Sequence, residues 1–341
     1  MKKYLLSICI PVYNRMFVVD SVKQYLSVED DRFCVRVYDN HSTDGTYEEL
    51  QKISDSRLEL HQNKENLGFL KNSLLALRNA NSDYIVFNID KNRFNVQYLK
   101  EFLDMFEKYK PNYGYIDLNY VEPTSVRLYK SGIEAIINGG GYACRHPNGY
   151  FYKSALFDSI VSDETFSNVD PYFAFPFDIV SGELGVQNDA MVFNIPLSFK
   201  CQTPEFKKTY TYNEYNFYFG KKYTLLNYRY FMQSMLKTGL TDNEKKELLD
   251  RYTQQLFTNV SYRLRNLYAD DGVCYRYNLQ KRAIGVIEMI RNIGDAIKEA
   301  KSVSLLSNTP YSYSYLIRLS KNTISEIAKS GAIASLHNLL K

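Results

Sequence analysis

The chain has 341 residues, of which 45% are hydrophobic and 23% charged, a profile that excludes a disordered protein and leaves room for one large domain with an appendage or for two domains. Its formal net charge of +4 gives no ground for a nucleic-acid-binding protein. Cys9, Cys34, Cys144, Cys201 and Cys274 form no CxxC pair, and no apolar run reaches about 18 residues, so the cysteines read as reduced core residues and no segment is expected to span a membrane.

Met1-Lys2-Lys3-Tyr4 leads straight into the apolar run Leu5–Ile10, broken by Pro11. That run is too short for a signal peptide and reads as a buried strand in a cytoplasmic protein. Helical periodicity follows over Val18–Val28, then a strand over Phe33–Tyr38, a helix over Thr46–Ile53 and a strand over Arg57–His61. A helix over Phe69–Leu77, a strand over Tyr84–Ile89 and a helix over Val96–Tyr109 continue the alternation, and Ala190–Ile195 reads as a later strand. Such alternation predicts an α/β domain with a mostly parallel sheet between helices. From about Thr203 strand signals fade, and helical periods run over Asn213–Lys237, Thr241–Leu267, Gln280–Ala300 and Tyr315–Leu340. Thr241 with Glu244 has the spacing of a capping box. The expected organisation is a nucleotide-binding and catalytic domain over 1–204 and an α-helical extension over 205–341.

Ligands of such sheets bind outside the carboxyl ends of the strands. Polar clusters fall after each of the first four: Pro11-Val12-Tyr13-Asn14-Arg15, Asp39 to Thr46, Asn63 to Phe69 with Asn72 following, and Asp90-Lys91-Asn92. Leu6 to Arg15, followed by Asp39-Asn40-His41-Ser42-Thr43-Asp44-Gly45-Thr46, resembles the opening of the family 2 glycosyltransferases with the GT-A fold. Asn66-Leu67-Gly68-Phe69 with Asn72 is similar to that family's third signature, and the likeness extends over roughly residues 4–200.

The resemblance implies an inverting enzyme that moves a sugar from a UDP-sugar or dTDP-sugar donor to a glycan or lipid-linked glycan, in the synthesis of a cell-surface polysaccharide such as a capsule or O-antigen. Pro11, Tyr13, Arg15, Asp39, Asn66, Gly68, Asn72 and Asp90 then become nucleotide-binding candidates. Tyr13 offers a ring for a pyrimidine, Asp39 an acceptor for the ring N–H, and Arg15 a planar fork for phosphate. Pro11 is expected to end the strand. For Asp44 a helix-capping role stands beside any ligand role, for Gly68 a positive φ, and for Asn66 and Asn72 the tying of loops.

The fourth cluster departs from the family, whose members carry several acids here to hold Mg²⁺ or Mn²⁺ against the diphosphate. Only Asp90 remains an acid; Asn92 is neutral and Lys91 adds positive charge. Hard divalent ions prefer several carboxylate oxygens, so a weak or absent metal on Asp90 and Asn92 is expected. Lys91 or Arg93 could neutralise the diphosphate instead, or catalysis could be lost, leaving a nucleotide-binding protein that acts through partners.

Further on, Gly139-Gly140-Gly141-Tyr142 with Arg145 and His146 is similar to the stretch that family members bring against the donor sugar, which makes both residues candidates for the diphosphate or the acceptor. Asp178 fits the place of the general base of inverting members, with Glu183 second and Asp170 and Asp163 weaker; a helix cap is the structural alternative for Asp178. In the extension, Lys221, Lys222, Arg229 and Lys237 lie among Tyr223, Leu225, Leu226, Tyr230, Phe231 and Met235. Such faces pack on protein, including a second copy in a homo-oligomer, or lie on a membrane surface, here the inner face of the cytoplasmic membrane.

Overall fold

Alternate residues of a strand point to opposite faces of a sheet, and the first strand buries both of its faces. Leu6, Ile8, Ile10 and Val12 enter one core cluster with Val18, Val22, Phe102 and Phe106; Cys9 enters a second with Leu74, Leu77, Ile85 and Phe87. Helices are therefore required on both sides. A computed structural model describes residues 3–142, 148–164, 176–200, 219–277 and 279–329, which fall into two compact units, Met1–Gln202 and Thr203–Lys341.

The first unit runs β1 (Tyr4–Val12), α1 (Val18–Leu26), β2 (Phe33–Asp39), α2 (Thr46–Gln51), β3 (Leu58–Gln62), α3 (Gly68–Leu77) and β4 (Ser82–Phe87). It continues through β5 (Asn92–Phe94), α4 (Leu99–Tyr109), β6 (Tyr113–Ile116), β7 (Ser125–Tyr129), α5 (Ile133–Asn138), β8 (Tyr150–Lys153), α6 (Ser154–Ile160), α7 (Pro176–Gly185), β9 (Ala190–Asn194) and β10 (Ser198–Lys200). Eight strands form one sheet in the order β3-β2-β1-β4-β8-β6-β9-β7, and β5 pairs with β10 apart from it. The four leading strands are mutually parallel, as expected of a GT-A-type α/β fold. Beyond β4 the sheet is mixed: β8 runs antiparallel to β4 and β6, β9 parallel to β6, and β7 antiparallel to β9.

Pro11 does not end β1. The strand continues to Val12, with Pro11 paired to Tyr38 and Val12 to Asp39 of β2. Cys9 presents its carbonyl to Asn88 N on the β4 side, and Val12 presents its carbonyl to Asn40 N on the β2 side. Pro11, two residues after Cys9, thus faces the β4 side beyond the last pair, Cys9 with Phe87, where no ladder acceptor needs its missing N–H. Other boundaries moved too. Asn88 and Ile89 lie beyond the fourth strand, and Asn92, expected in a loop, starts β5.

Close packing explains the glycine run. A Cβ on Gly139 would sit 2.5 Å from the Ala190 Cβ and 2.6 Å from the Tyr113 hydroxyl, and one on Gly141 would lie 3.3 Å from Gly182 Cα in α7. Gly139→Ala is therefore expected to destabilise the first unit by about 2 kcal/mol through overpacking, read as a lower urea midpoint at unchanged slope. A midpoint equal to the parent's would show that this corner can relax.

The second unit contains α8 (Lys221–Lys237), α9 (Asp242–Thr258), α10 (Leu264–Ala269), α11 (Asp271–Tyr277), α12 (Val286–Ser304) and α13 (Tyr313–Lys329). The capping box at the head of α9 is present: Glu244 N donates to Thr241 Oγ1 and Thr241 N to the Glu244 carboxylate. The single helix expected over Thr241–Leu267 is broken by a π-helical turn over Asn259–Arg263, where the Ser261 hydroxyl donates back to Phe257 O at 2.6 Å. The helix expected from Gln280 begins only at Val286, after Gly285 in an extended conformation.

The mixed face of α8 packs inside its own unit. Tyr223, Phe231 and Met235 are buried, Lys221 pairs with Asp295 at 2.9 Å, and Arg229 grips Glu299 through two nitrogens. Among the described residues no helix is long and apolar enough to cross a membrane.

Candidate functional site

In the parallel half of the sheet Val12, Asp39 and Gln62 are partners across β1, β2 and β3. The loops that follow them therefore share one edge. They are laced together: Asn14 N donates to Ser42 Oγ at 2.8 Å, Thr43 N to Asn14 Oδ1 at 2.7 Å, and Arg15 N to Thr46 Oγ1 at 3.0 Å. Asn14 and His41 adopt the left-handed region, with φ of 49° and 64°. Tyr13 projects from this edge and is 39% exposed. Asp44 Oδ1 accepts from Thr46 N at 3.0 Å, which places it at the head of α2 behind Gly45.

Asp39 is fully buried at the end of β2. Its Oδ2 accepts from Ser42 N at 2.9 Å and from Gln62 Nε2 at 3.1 Å. Its Oδ1, equally buried, has no hydrogen-bond partner among the described residues. Burying a carboxylate oxygen without a donor is costly, so this atom suits a donor supplied by a ligand.

The third cluster is a tether. Asn40 Nδ2 donates to Asn66 Oδ1 at 2.7 Å, while Asn40 Oδ1 accepts from Asn63 Nδ2 and Leu67 N. Asn72, buried in α3, donates to Tyr38 O and accepts from Asn63 Nδ2. Gly68 starts α3 at φ 79°, as expected for a glycine, and donates its N–H to Asn66 Oδ1. Asn66 and Asn72 thus tie loops, which makes them positioning residues. Asn40 and Asn63, which stand in the same polar clusters without having been singled out there, hold the same network.

At the end of β4, Asp90 Oδ2 accepts from Arg15 Nε at 3.2 Å, and both side chains are about nine-tenths buried. Burial pushes the Asp90 carboxyl above the usual carboxylate range, against the pull of Arg15 and Lys91. Arg15 is therefore committed through its Nε to the protein's own acid. Asn92 is buried, and its Oδ1 has no partner among the described residues. Arg93, a candidate for the diphosphate, turns to α1: its Nε donates to Ser21 Oγ at 2.8 Å. Asn88 Nδ2 donates to the Tyr25 hydroxyl and Ile89 N to Asn148 Oδ1, which fix the loop carrying Asp90.

One carboxylate already paired with an arginine, flanked by a lysine and an amide, does not fit a hard divalent cation. Among the described residues no group of three or more His, Cys, Asp and Glu side chains could hold a metal.

Asp178 lies in the first turn of α7 and is almost fully buried. The preceding Phe177 packs on Phe87 with ring centroids 4.7 Å apart and stacks on Tyr150 at 5.5 Å. These contacts bring the head of α7 to the end of β4, the strand that leads to Asp90. Glu183, five residues on and partly buried, leaves the helix in another direction. Asp163 pairs with Arg78 on the surface, 95% exposed. Arg145, His146 and Asp170 lie outside the described residues.

A model of the family described as glycosyl transferase family 2 matches residues 7–153. No curated protein sequence matches the chain. Among solved structures, the crystal structure of S. aureus TarS 1-349 shares its fold, with a TM-score of 0.56 at 15% identity over 96% of this chain and 92% of that one. The same S. aureus protein in complex with UDP-GlcNAc gives 0.56 at 16% identity, and in complex with UDP 0.54 at 16%, with the same coverage of both chains.

Proposed function

We propose, from the match of residues 7–153 to the family described as glycosyl transferase family 2, that the chain transfers a sugar, with inversion, from a UDP-sugar or dTDP-sugar to a hydroxyl of a glycan or lipid-linked glycan in cell-surface polysaccharide synthesis. The single observation that carries the donor reading is the buried Oδ1 of Asp39, without a partner among the described residues, at the sheet edge that also carries the exposed ring of Tyr13. A uracil or thymine ring stacked on Tyr13 offers its imide N–H to that oxygen. A cytosine ring has an unprotonated nitrogen at that position and would leave Asp39 without a donor. The complexes of TarS with UDP and UDP-GlcNAc support the uracil form.

In this reading Asp178 takes the proton of the acceptor hydroxyl as its oxygen attacks the anomeric carbon, and the nucleoside diphosphate leaves. Lys91, next to Asp90, supplies positive charge to the leaving diphosphate, and Arg15 holds Asp90 in place. Calorimetric titration tests the donor site. UDP is expected to bind and CDP not, and Asp39→Ala should weaken UDP by about 1.5–3 kcal/mol, the value of a hydrogen bond to a charged group. Equal binding of UDP and CDP would overturn the assignment. Added Mn²⁺ is expected to change UDP affinity little; a large metal-dependent gain would show that Asp90 and Asn92 do hold an ion.

The pairing of Asp90 with Arg15 also supports a second reading, a nucleotide-binding protein without transfer activity acting through partners. Release of UDP from a panel of UDP-sugars, in the presence or absence of a glycan acceptor, separates the two. Turnover of any donor supports the enzyme, and binding without turnover of any supports the second reading.

A further inference from the structure

The second unit contains a cavity of about 450 Å³ that the transfer reaction does not use. Its charged lining comes from Lys221 and Lys222 at the head of α8, Arg282 in the connection before α12, and Glu288 and Arg291 in the first two turns of α12. Arg282 bonds Glu288 through two nitrogens, at 2.6 and 2.9 Å, over the ring of Tyr268 at 4.6 Å. Lys221 is matched by Asp295. Lys222 and Arg291 are exposed and form no ion pair with a described residue. Four cations thus face two carboxylates, an excess of two positive charges. The field is felt locally: Arg282 first, then Lys221 and Arg291, hold the Glu288 carboxyl below its usual range.

Two backbone features add to it. α8 and α12 have 17 and 19 residues, begin after Gly220 and Gly285, and have no side-chain cap. Lys221 and Lys222 in the first turn of α8 and Glu288 in the first turn of α12 line the cavity, so both positive helix ends lie beside it. Arginine forks, ammonium groups and helix N-termini are the groups that bind phosphate oxygens. A cavity of this volume is of small-molecule size.

We propose that this cavity binds a phosphate monoester, whose two negative charges match the excess, carried by a sugar or polyol of small-molecule size or by a lipid headgroup. The site is separate from the donor site and does not depend on the reading of Asp39 or Asp178.

The test uses the full chain and the variant Lys222→Glu/Arg291→Glu, both exposed positions. Calorimetric titration with inorganic phosphate and with glucose 1-phosphate probes the soluble ligand, and flotation with phosphatidylcholine vesicles carrying phosphatidic acid probes the lipid. Saturable binding of either probe, weakened at least tenfold in the variant and falling with added salt, is the expected result. Loss confined to the soluble arm identifies a free phosphate ester, and loss confined to flotation identifies a headgroup. UDP titration serves as the control and should not change. Binding of every probe that is equal in parent and variant, or no binding, would overturn the proposal. Should the double variant melt below the parent, the single neutral variants Lys222→Gln and Arg291→Gln carry the same comparison.

Discussion

Asp178→Asn is expected to lower the rate of sugar transfer by about 10²–10⁴-fold, the contribution of a general base, while UDP titrates into the variant as it does into the parent. The substitution keeps the shape of the side chain and removes its capacity to take a proton. Asp178 is the third residue of α7, where loss of its charge costs roughly 0.3–1 kcal/mol of interaction with the helix dipole, so the helix should survive. A merely structural role would appear as a lower melting temperature with turnover per folded molecule unchanged. The base assignment predicts the reverse, a parental melting curve with lost turnover. Glu183→Gln should retain most activity, because Glu183 leaves α7 on another side. Normal turnover by Asp178→Asn would sink the assignment, and loss in Glu183→Gln alone would move it to Glu183.

Arg15→Met is expected to cost about 3–5 kcal/mol of stability, the penalty for leaving one member of a buried ion pair without its partner. Arg15 and Asp90 are about nine-tenths buried and meet at 3.2 Å. The double variant Arg15→Met/Asp90→Leu should recover most of the loss, since apolar residues can replace a buried pair at little cost. The pH dependence has a definite sign. Burial already raises the Asp90 carboxyl, and removing Arg15 raises it further. In the variant the folded state therefore binds this proton more tightly than the unfolded state does, so stability rises as pH falls from neutrality toward the unfolded value of about 3.9. Urea unfolding at neutral and mildly acidic pH checks both points. A small loss that does not depend on pH would mean that water reaches Asp90 once Arg15 is gone.

The parallel half of the fold was legible because long apolar runs and amphipathic helices alternate there. In the mixed half only β9 was, as the apolar run Ala190–Ile195. β6 and β8 have four residues each, Tyr113–Ile116 and Tyr150–Lys153, too short for a period of two to stand out. In the structure, Tyr113, Tyr150, Phe151 and Tyr152 are almost completely buried within the sheet. The π-helical turn at Asn259–Arg263 was hidden for a related reason. The apolar spacing runs through it, and only the hydroxyl of Ser261 bonding back to the chain marks the break.

The sequence by itself determined the chemistry available at each strand end: Tyr13 and Arg15, Asp39, the asparagines, and a fourth cluster with one acid where several would be needed for a metal. These follow from residue type and from position after an apolar run, which are local properties. Tertiary structure decided how those residues divide their work. Asp39 leaves one buried oxygen without a donor among the described residues, whereas Asp90, also an acid near a strand end, is paired with Arg15 across 75 residues of chain. Arg93 turns to Ser21, and Asn66 and Asn72 lock loops together. The cationic cavity between the heads of α8 and α12 likewise joins residues as distant as Lys221 and Arg291. Local spacing carries no record of such pairs, because burial and hydrogen bonding are set by what the folded chain brings into contact.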